Sequence, residues 1–442
     1  MPMSSFPMLL ACAATLIAGP LAAQQRLSRA EQRIRKAAAE QVGDQISYLQ
    51  RVVDMPSSTL DLDGVRAVGG VFARSLDSLG FETRWAEMPA EMRRAGHLVA
   101  EHRGKRGKAR LLLIGHLDTV VDPDGPTFVR RDSVADGIGG SDMKGGDVVV
   151  LYALRALAAA GALRDLNVTV VFTGDEEHAG SPLELSRRDL IDAARRSDLA
   201  LGFESGRPSD LTVARRGAAS WRLTTTGTEA HSAGIFRDGT GYGAIYELAR
   251  ILDEFRRELS GIQYLSFNAA TVLGGTNLAY DSVAISGTAS SKLNIIPRTA
   301  VAHGDIRFIS AEQHDSAKRR MSEIVARHLP GTGATIFFED EYPAMSPTPG
   351  NHRVLAVYDT LSRALGYDEV VAFDPGRRGA GDISFVAPHV DGVDGLGSMG
   401  GGAHTPEEYV ELTTLEMQTA RAAVFLHRLG SRPASDFARR NP

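Results

Sequence analysis

The sequence contains almost no cysteine: Cys12 is the only one in 442 residues. A single thiol excludes an intramolecular disulfide framework and any thiolate metal cage. A surplus of charge is missing as well. The chain has 49 Lys+Arg against 54 Asp+Glu, a net charge of −5. That balance gives no bulk electrostatic case for binding nucleic acid or an anionic membrane. Long apolar runs are absent beyond the start. The stretch from Phe6 to Ala23 is uncharged but interrupted by Pro7 and Pro20, which is marginal for the roughly 20 apolar residues of a spanning helix. What remains, 43% hydrophobic and 23% charged residues, is the composition of a globular protein with a large core. Disordered and collagen-like classes are therefore excluded. The length corresponds to two or three domain equivalents of about 150 residues each.

The apolar start fits a secretory signal, residues 1–23, ending in small residues with cleavage after Ala23. The expectation is an exported protein, periplasmic or secreted. Leu9-Leu10-Ala11-Cys12 leaves lipoprotein anchoring through Cys12 as a minor alternative. The polar, aperiodic residues 431–442 read as a flexible tail.

Between these ends the pattern changes twice. Residues 27–214 open with an amphipathic helix expected over Leu27 to Val53, followed by alternating strand-like and helical runs. Apolar runs such as Leu111-Ile114, Val168-Phe172 and Leu199-Phe203 predict an α/β domain around a mostly parallel sheet. A helix is expected over Ser186 to Arg196. Residues 215–341 read as strand, helix, strands, helix, strand, including a strand expected at Ser282-Ser286. This is the order of a smaller two-layer α+β domain. Residues 342–430 return to α/β style. The expected architecture is an α/β catalytic domain interrupted by an inserted domain.

Five segments with acidic or His residues carry the chemistry. Most of them follow predicted strands, where ligand sites of open α/β sheets collect. In Gly115-His116-Leu117-Asp118, the His and Asp are two apart on an extended segment and point the same way. In Gly140-Ser141-Asp142-Met143-Lys144-Gly145, Asp142 is either the N-cap of the next helix or a carboxylate free to bridge two cations. Thr173-Gly174-Asp175-Glu176-Glu177-His178 is either a solvated acidic turn or a site where cations offset the repulsion. In the second case one Glu can ligate while its neighbour serves as general base. Glu204 ends the strand Leu199-Phe203, and His404 lies on a Gly-rich approach to the last helix. Two His and three carboxylates without thiolate suit a pair of zinc-like ions.

At these residues the sequence resembles the co-catalytic zinc aminoacylase/carboxypeptidase family. This family includes bacterial glutamate carboxypeptidase, succinyl-diaminopimelate desuccinylase, acetylornithine deacetylase and di- and tripeptidases. The resemblance covers about residues 40–430 and is nearest in flavour to the glutamate carboxypeptidase branch. Arg215-Arg216-Gly217 instead resembles the desuccinylase branch. The resemblance implies that His116, Asp142 and Glu204 hold one metal and that Asp142, Glu177 and His404 hold the other, with a cis peptide at Asp142-Met143. It implies that Glu176 is the general base and that Asp118 orients the site. The inserted domain would act as a dimerisation and lid domain. His231, in Glu229-Ala230-His231-Ser232, would reach a partner's active site and steady an oxyanion. Asn294 and Arg307 would bind the substrate carboxylate, and Gly381 would lie in a Gly-rich substrate loop. The preceding Arg377-Arg378 reads as a solvated turn.

The resulting expectation is a hydrolase with two Zn²⁺ per subunit, Co²⁺ or Mn²⁺ being possible substitutes. It would act as a homodimer on a small peptide or N-acyl amino acid with a free carboxylate. An N-acyl amino acid deacylase or desuccinylase is the alternative. A non-catalytic metal-binding relative is a more remote one.

Overall fold

The computed structural model describes residues 26–121 and 127–437. The expected signal sequence, Cys12 included, lies outside them. So do residues 438–442 of the expected tail.

The larger sheet has six strands in the order Glu82–Ala86, His97–His102, Asn167–Thr173, Arg110–His116, Leu199–Gly202 and Gly392–Val393. The first two pairings are antiparallel and the other three are parallel. Its strand Arg110–His116 is apolar from Leu111 to Ile114 because both faces are covered. Leu111 and Leu113 pack into the cluster formed by the helices Lys144–Ala159 and Leu415–Gly430. Leu112 and Ile114 face the opposite layer, with Leu190, Ile383 and Val386. This alternation is the period-2 geometry of a strand. The parallel strands Arg110–His116 and Asn167–Thr173 run in register, so His116 lies beside Thr173, and the motifs that follow emerge at one edge.

The smaller sheet is antiparallel, with strands Ser266–Gly275, Thr299–Phe308, Gly217–Gly227 and Thr332–Tyr342 in that order. The helices Ala244–Leu259 and Ala311–Val325 belong with it. Trp221, Leu248, Phe255, Ile306 and Met321 form its separate core. The chain enters this layer beside Arg215 and returns beside Met345. The backbones of those two residues exchange a reciprocal pair of hydrogen bonds, both 3.0 Å.

Four details differ from expectation. The helix expected over residues 27–53 is two helices, Arg29–Glu40 and Val42–Val53, separated at Gln41, two residues before Gly43, a weak helix former. The helix expected over 186–196 runs over Arg188–Arg195, and a short helix, Leu183–Ser186, precedes it, with the side chain of Arg187 between them drawn into the interior. The strand expected at 282–286 is largely a turn between Asn277–Asp281 and Ser286–Ser290. There Asp281 Oδ1 accepts from the amides of Val283 and Ala284 at 2.8 and 3.0 Å. The segment after Leu429 also turns back onto the protein. Arg432 O accepts from the Ala109 amide and Gly107 O from the Ala434 amide, and Phe437 packs on the main core.

Candidate active site

The five expected ligands converge. His116 Nε2 lies 3.3 Å from Asp142 Oδ1 and 3.9 Å from Glu204 Oε1. His404 Nε2 lies 3.2 Å from both Asp142 Oδ2 and Glu177 Oε2. The two oxygens of Asp142 therefore face two different imidazoles. Donor atoms of His116, Asp142 and Glu177 lie within 4.8 Å of one another, as do those of His116, Glu176 and Glu204. The helix after Asp142 starts at Lys144, with Met143 at its cap and no side-chain cap bond. Asp142 is thus not an N-cap, and its carboxylate is free for the site. The Asp142–Met143 peptide is cis.

His116 Nδ1 is 3.0 Å from Asp118 O. Donation there leaves Nε2 with its lone pair toward the cluster, where it is buried and has no hydrogen-bond partner. An orphaned imidazole nitrogen amid carboxylate oxygens fits a divalent cation.

Asp118 is fully buried. It accepts from Thr59 Oγ1 at 2.6 Å and from the amides of Glu176 and Glu177 at 3.0 and 3.1 Å. It holds the Glu176-Glu177 turn by its backbone and leaves both glutamate side chains free. Tyr342 Oη donates to Glu176 O at 2.7 Å, so the end of the smaller sheet grips the same turn. Burial, reinforced by Glu204, Asp382 and Glu177 and opposed by His116, pushes the Glu176 carboxyl well above its usual range. Burial also pushes Glu204 up to about 7. Hydrogen bonds to Asp142 and Glu177 raise His404 to about 10. These shifts are those of carboxylates and imidazoles packed together away from water.

The supporting residues were not legible in the sequence. Glu408 accepts from the amides of Gly139, Ser141 and Asp142 at 2.8–2.9 Å and so clamps the loop that presents Asp142. Asp175 is not part of a solvated acidic run. It pairs with the fully buried Arg187 at 2.6 Å, and Arg187 Nε also meets Asp382 at 2.8 Å. Asp394 binds Arg215 Nε at 2.6 Å, and Arg215 Nη2 lies 3.7 Å from Glu204. Among these, Glu408 stood in the sequence only as half of an acidic pair four residues past His404, and Arg215 only within Arg215-Arg216-Gly217; neither pattern shows what the residue holds.

The substrate residues divide. Arg307 shares an open cleft of about 570 Å³ with Glu176, Glu177, Tyr342, Ala380 and His404. Gly381 abuts Arg215, and a Cβ there would lie 2.7 Å from Arg215 Nη1. His231 and Asn294 are not brought to the cluster within one chain. They sit together on exposed loops, where Asn294 O accepts from the Ser232 amide at 2.8 Å. The Arg377-Arg378 turn needs correction. Arg377 is exposed and lies 5.5 Å from the Phe373 ring, but Arg378 turns inward to donate to Ser205 O at 3.2 Å.

A mostly parallel α/β sheet with a His-carboxylate cage at its strand ends, and a glutamate of raised pKa beside it, defines a metal-dependent hydrolase of amide bonds. The family model described as Peptidase family M20/M25/M40 matches residues 112–428, and the chain belongs to that family. It is 27% identical to carboxypeptidase G2 of Pseudomonas sp. (strain RS-16) over 95% of this chain and 96% of the relative. It is also 27% identical to succinyl-diaminopimelate desuccinylase of Acidiphilium cryptum (strain JF-5), over 84% of this chain and 95% of that one. In fold it matches aminopeptidase PepT of Bacillus cereus with a TM-score of 0.70 at 17% identity, over 88% of this chain and 98% of that structure.

Proposed function

We propose that this protein is an exported, dinuclear zinc exopeptidase that cleaves the amide bond of a small peptide or N-acyl amino acid bearing a free carboxylate. His116, Asp142 and Glu204 would hold one ion, and Asp142, Glu177 and His404 the other, with Co²⁺ or Mn²⁺ as substitutes. When bound, such ions supply Lewis acidity toward a carbonyl and toward water. The protein's own part begins with Glu176. Its carboxylate accepts a proton from the attacking water and delivers it to the leaving amine, as its raised pKa suits. Asp118 and Tyr342 keep the Glu176 turn fixed during both transfers. Arg307 offers a guanidinium fork to the substrate carboxylate. His231 would complete the oxyanion site of a second subunit, with the smaller sheet's layer forming the dimer contact.

The observation that carries this reading is the position of Glu176. Its Oε2 lies 4.0 Å from His116 Nε2, beside the cage, on a turn held only through its backbone. The test is Glu176→Gln. Turnover should fall by several orders of magnitude while bound zinc stays near two per chain. Loss of metal together with fold would make Glu176 structural.

The matched desuccinylase supports a second reading, hydrolysis of N-acyl amino acids. Comparing a dipeptide with C-terminal Glu against acetyl and succinyl amino acids separates the two. Zinc bound without hydrolysis of any of these would leave a metal-binding relative.

A further inference from the structure

Two arginines near the ligand cluster differ in how far the protein itself satisfies them. Arg215 is held on most sides, although its Nη2 has no hydrogen-bond partner among the described residues and lies 3.7 Å from Glu204. Its Nε meets Asp394 at 2.6 Å, and its Nη1 donates to the carbonyls of Gly379 and Ala380. Those bonds fix the loop that carries Arg378. Arg378 is different. Its Nη2 has one partner, the carbonyl of Ser205, next to Glu204. Its Nε is shut off from solvent and has no hydrogen-bond partner among the described residues. A guanidinium offers five donors in a planar fork, and a shielded donor left unpaired is costly. Burial and the like charge of Arg215 push Arg378 down from its usual range, with Asp394, Glu204 and Asp142 opposing. Asp394 is already engaged by Arg215, and Glu204 and Asp142 face His116. Arg378 is therefore a cation beside the Glu204 end of the cage with no carboxylate of its own.

Arg307 lies on the cleft side of the cage. It lines the cleft with Glu177 and His404, and neither Glu204 nor Arg378 lines that cleft. The scissile amide must sit at the cage, between the two guanidinium groups. An anion at the far end of the substrate would satisfy Arg378, while Arg307, whose Nε already meets Asp305 at 2.9 Å, keeps its remaining donors for one at the near end.

We propose that Arg378 is a specificity-determining residue that receives a carboxylate on the acyl half of the substrate, while Arg307 takes the carboxylate of the leaving amino acid. The preferred substrates are then dicarboxylic N-acyl amino acids or dipeptides with an acidic first residue. This proposal rests on the amide-hydrolase reading above.

The test pairs an N-succinyl amino acid with its succinamoyl counterpart, which replaces the distal carboxylate by a carboxamide of the same shape. The zinc-loaded wild type should favour the acid by roughly tenfold or more in kcat/KM. Arg378→Ala should lose about that factor on the acid and stay within about threefold on the amide. Arg378→Lys, which keeps the charge without the fork, should fall between them. Equal losses on both substrates, or a wild type indifferent to the exchange, overturn the proposal.

A second arm does not depend on turnover. Succinate should raise the thermal midpoint of the metal-free wild type more than succinamate does, and this difference should vanish in Arg378→Ala. If it persists there, the site is elsewhere. If neither amide is cleaved while succinate still discriminates, the hydrolase reading falls and the anion site at Arg378 stands.

Discussion

Removing Arg187 is expected to cost more stability than any other single change near the site. Its side chain is fully enclosed, as is that of Asp175, and that of Asp382 is 4% exposed. Arg187 Nη1 meets Asp175 Oδ1 at 2.6 Å, and its Nη2 reaches Asp175 O at 3.1 Å and Tyr342 Oη at 3.3 Å. The guanidinium also stacks 5.2 Å from the Phe385 ring. In Arg187→Met the apolar stem is kept, but two carboxylates are left in the interior without a cation. Removing one partner of a buried ion pair costs about 3–5 kcal/mol. At about 2 °C per kcal/mol for a large unit, the thermal midpoint should fall by roughly 6–10 °C. The check is scanning calorimetry at fixed scan rate on wild type, Arg187→Met and the triple variant that adds Asp175→Asn and Asp382→Asn. The cost arises from stranded charge, so the triple variant should recover a substantial part of the loss. A loss under about 1 kcal/mol, or a triple variant less stable than Arg187→Met, would refute the reasoning.

Three further outcomes are expected. Glu408→Ala removes the acceptor for three loop amides, so zinc affinity measured by competition with a chelator should drop about 10–100-fold while the fold is retained. His231→Ala should lower kcat by about 10²–10³-fold. Mixing it with Glu176→Gln subunits should restore activity, since one mixed site would then be intact, and absence of rescue would tell against a shared site. Glu247 accepts from Arg250 at 2.6 Å and from the Leu329 amide at 3.1 Å. Burial alone would raise its pKa, but these partners outweigh it and hold the carboxyl below its usual range. Its stabilising contribution is therefore present above the unfolded value near 4.3 and is lost as pH falls through the lower folded value. Glu247→Gln should cost about 1–3 kcal/mol at pH 7, and the gap in urea midpoints should close toward pH 3.

The ligand cage was legible because each member is marked locally: a His or carboxylate directly after an apolar strand, or beside glycines that force a turn. His116, Asp142, Glu177, Glu204 and His404 needed only those marks and a resemblance to be grouped. The residues that hold the cage in place carry no such mark. Glu408 is 266 positions from the Asp142 amide that it receives, and Tyr342 is 166 from Glu176. Their roles exist only once the chain has folded. Arg187 is a case of the same kind. Periodicity places the helix Arg188–Arg195, but only the folded chain shows the Arg187 side chain at its start turned inward to the buried carboxylates. Arg378 was misread because hydrophilic turns are usually solvated. Only the placement of Ser205 O and Arg215 turns it toward the site.

The reciprocal hydrogen bonds between Arg215 and Met345 have a mechanical consequence. Two independent linkers would let the antiparallel layer tilt and twist about separate points. Stitched together, the outgoing and returning strands form a single ribbon, and any swing of that layer has essentially one axis. Tyr342 lies three residues from this pivot and is bonded to Glu176 O. Such a rotation would have a very short lever arm at the Glu176 turn and a long one at His231. A large excursion at the far loops would translate into a small displacement at Glu176.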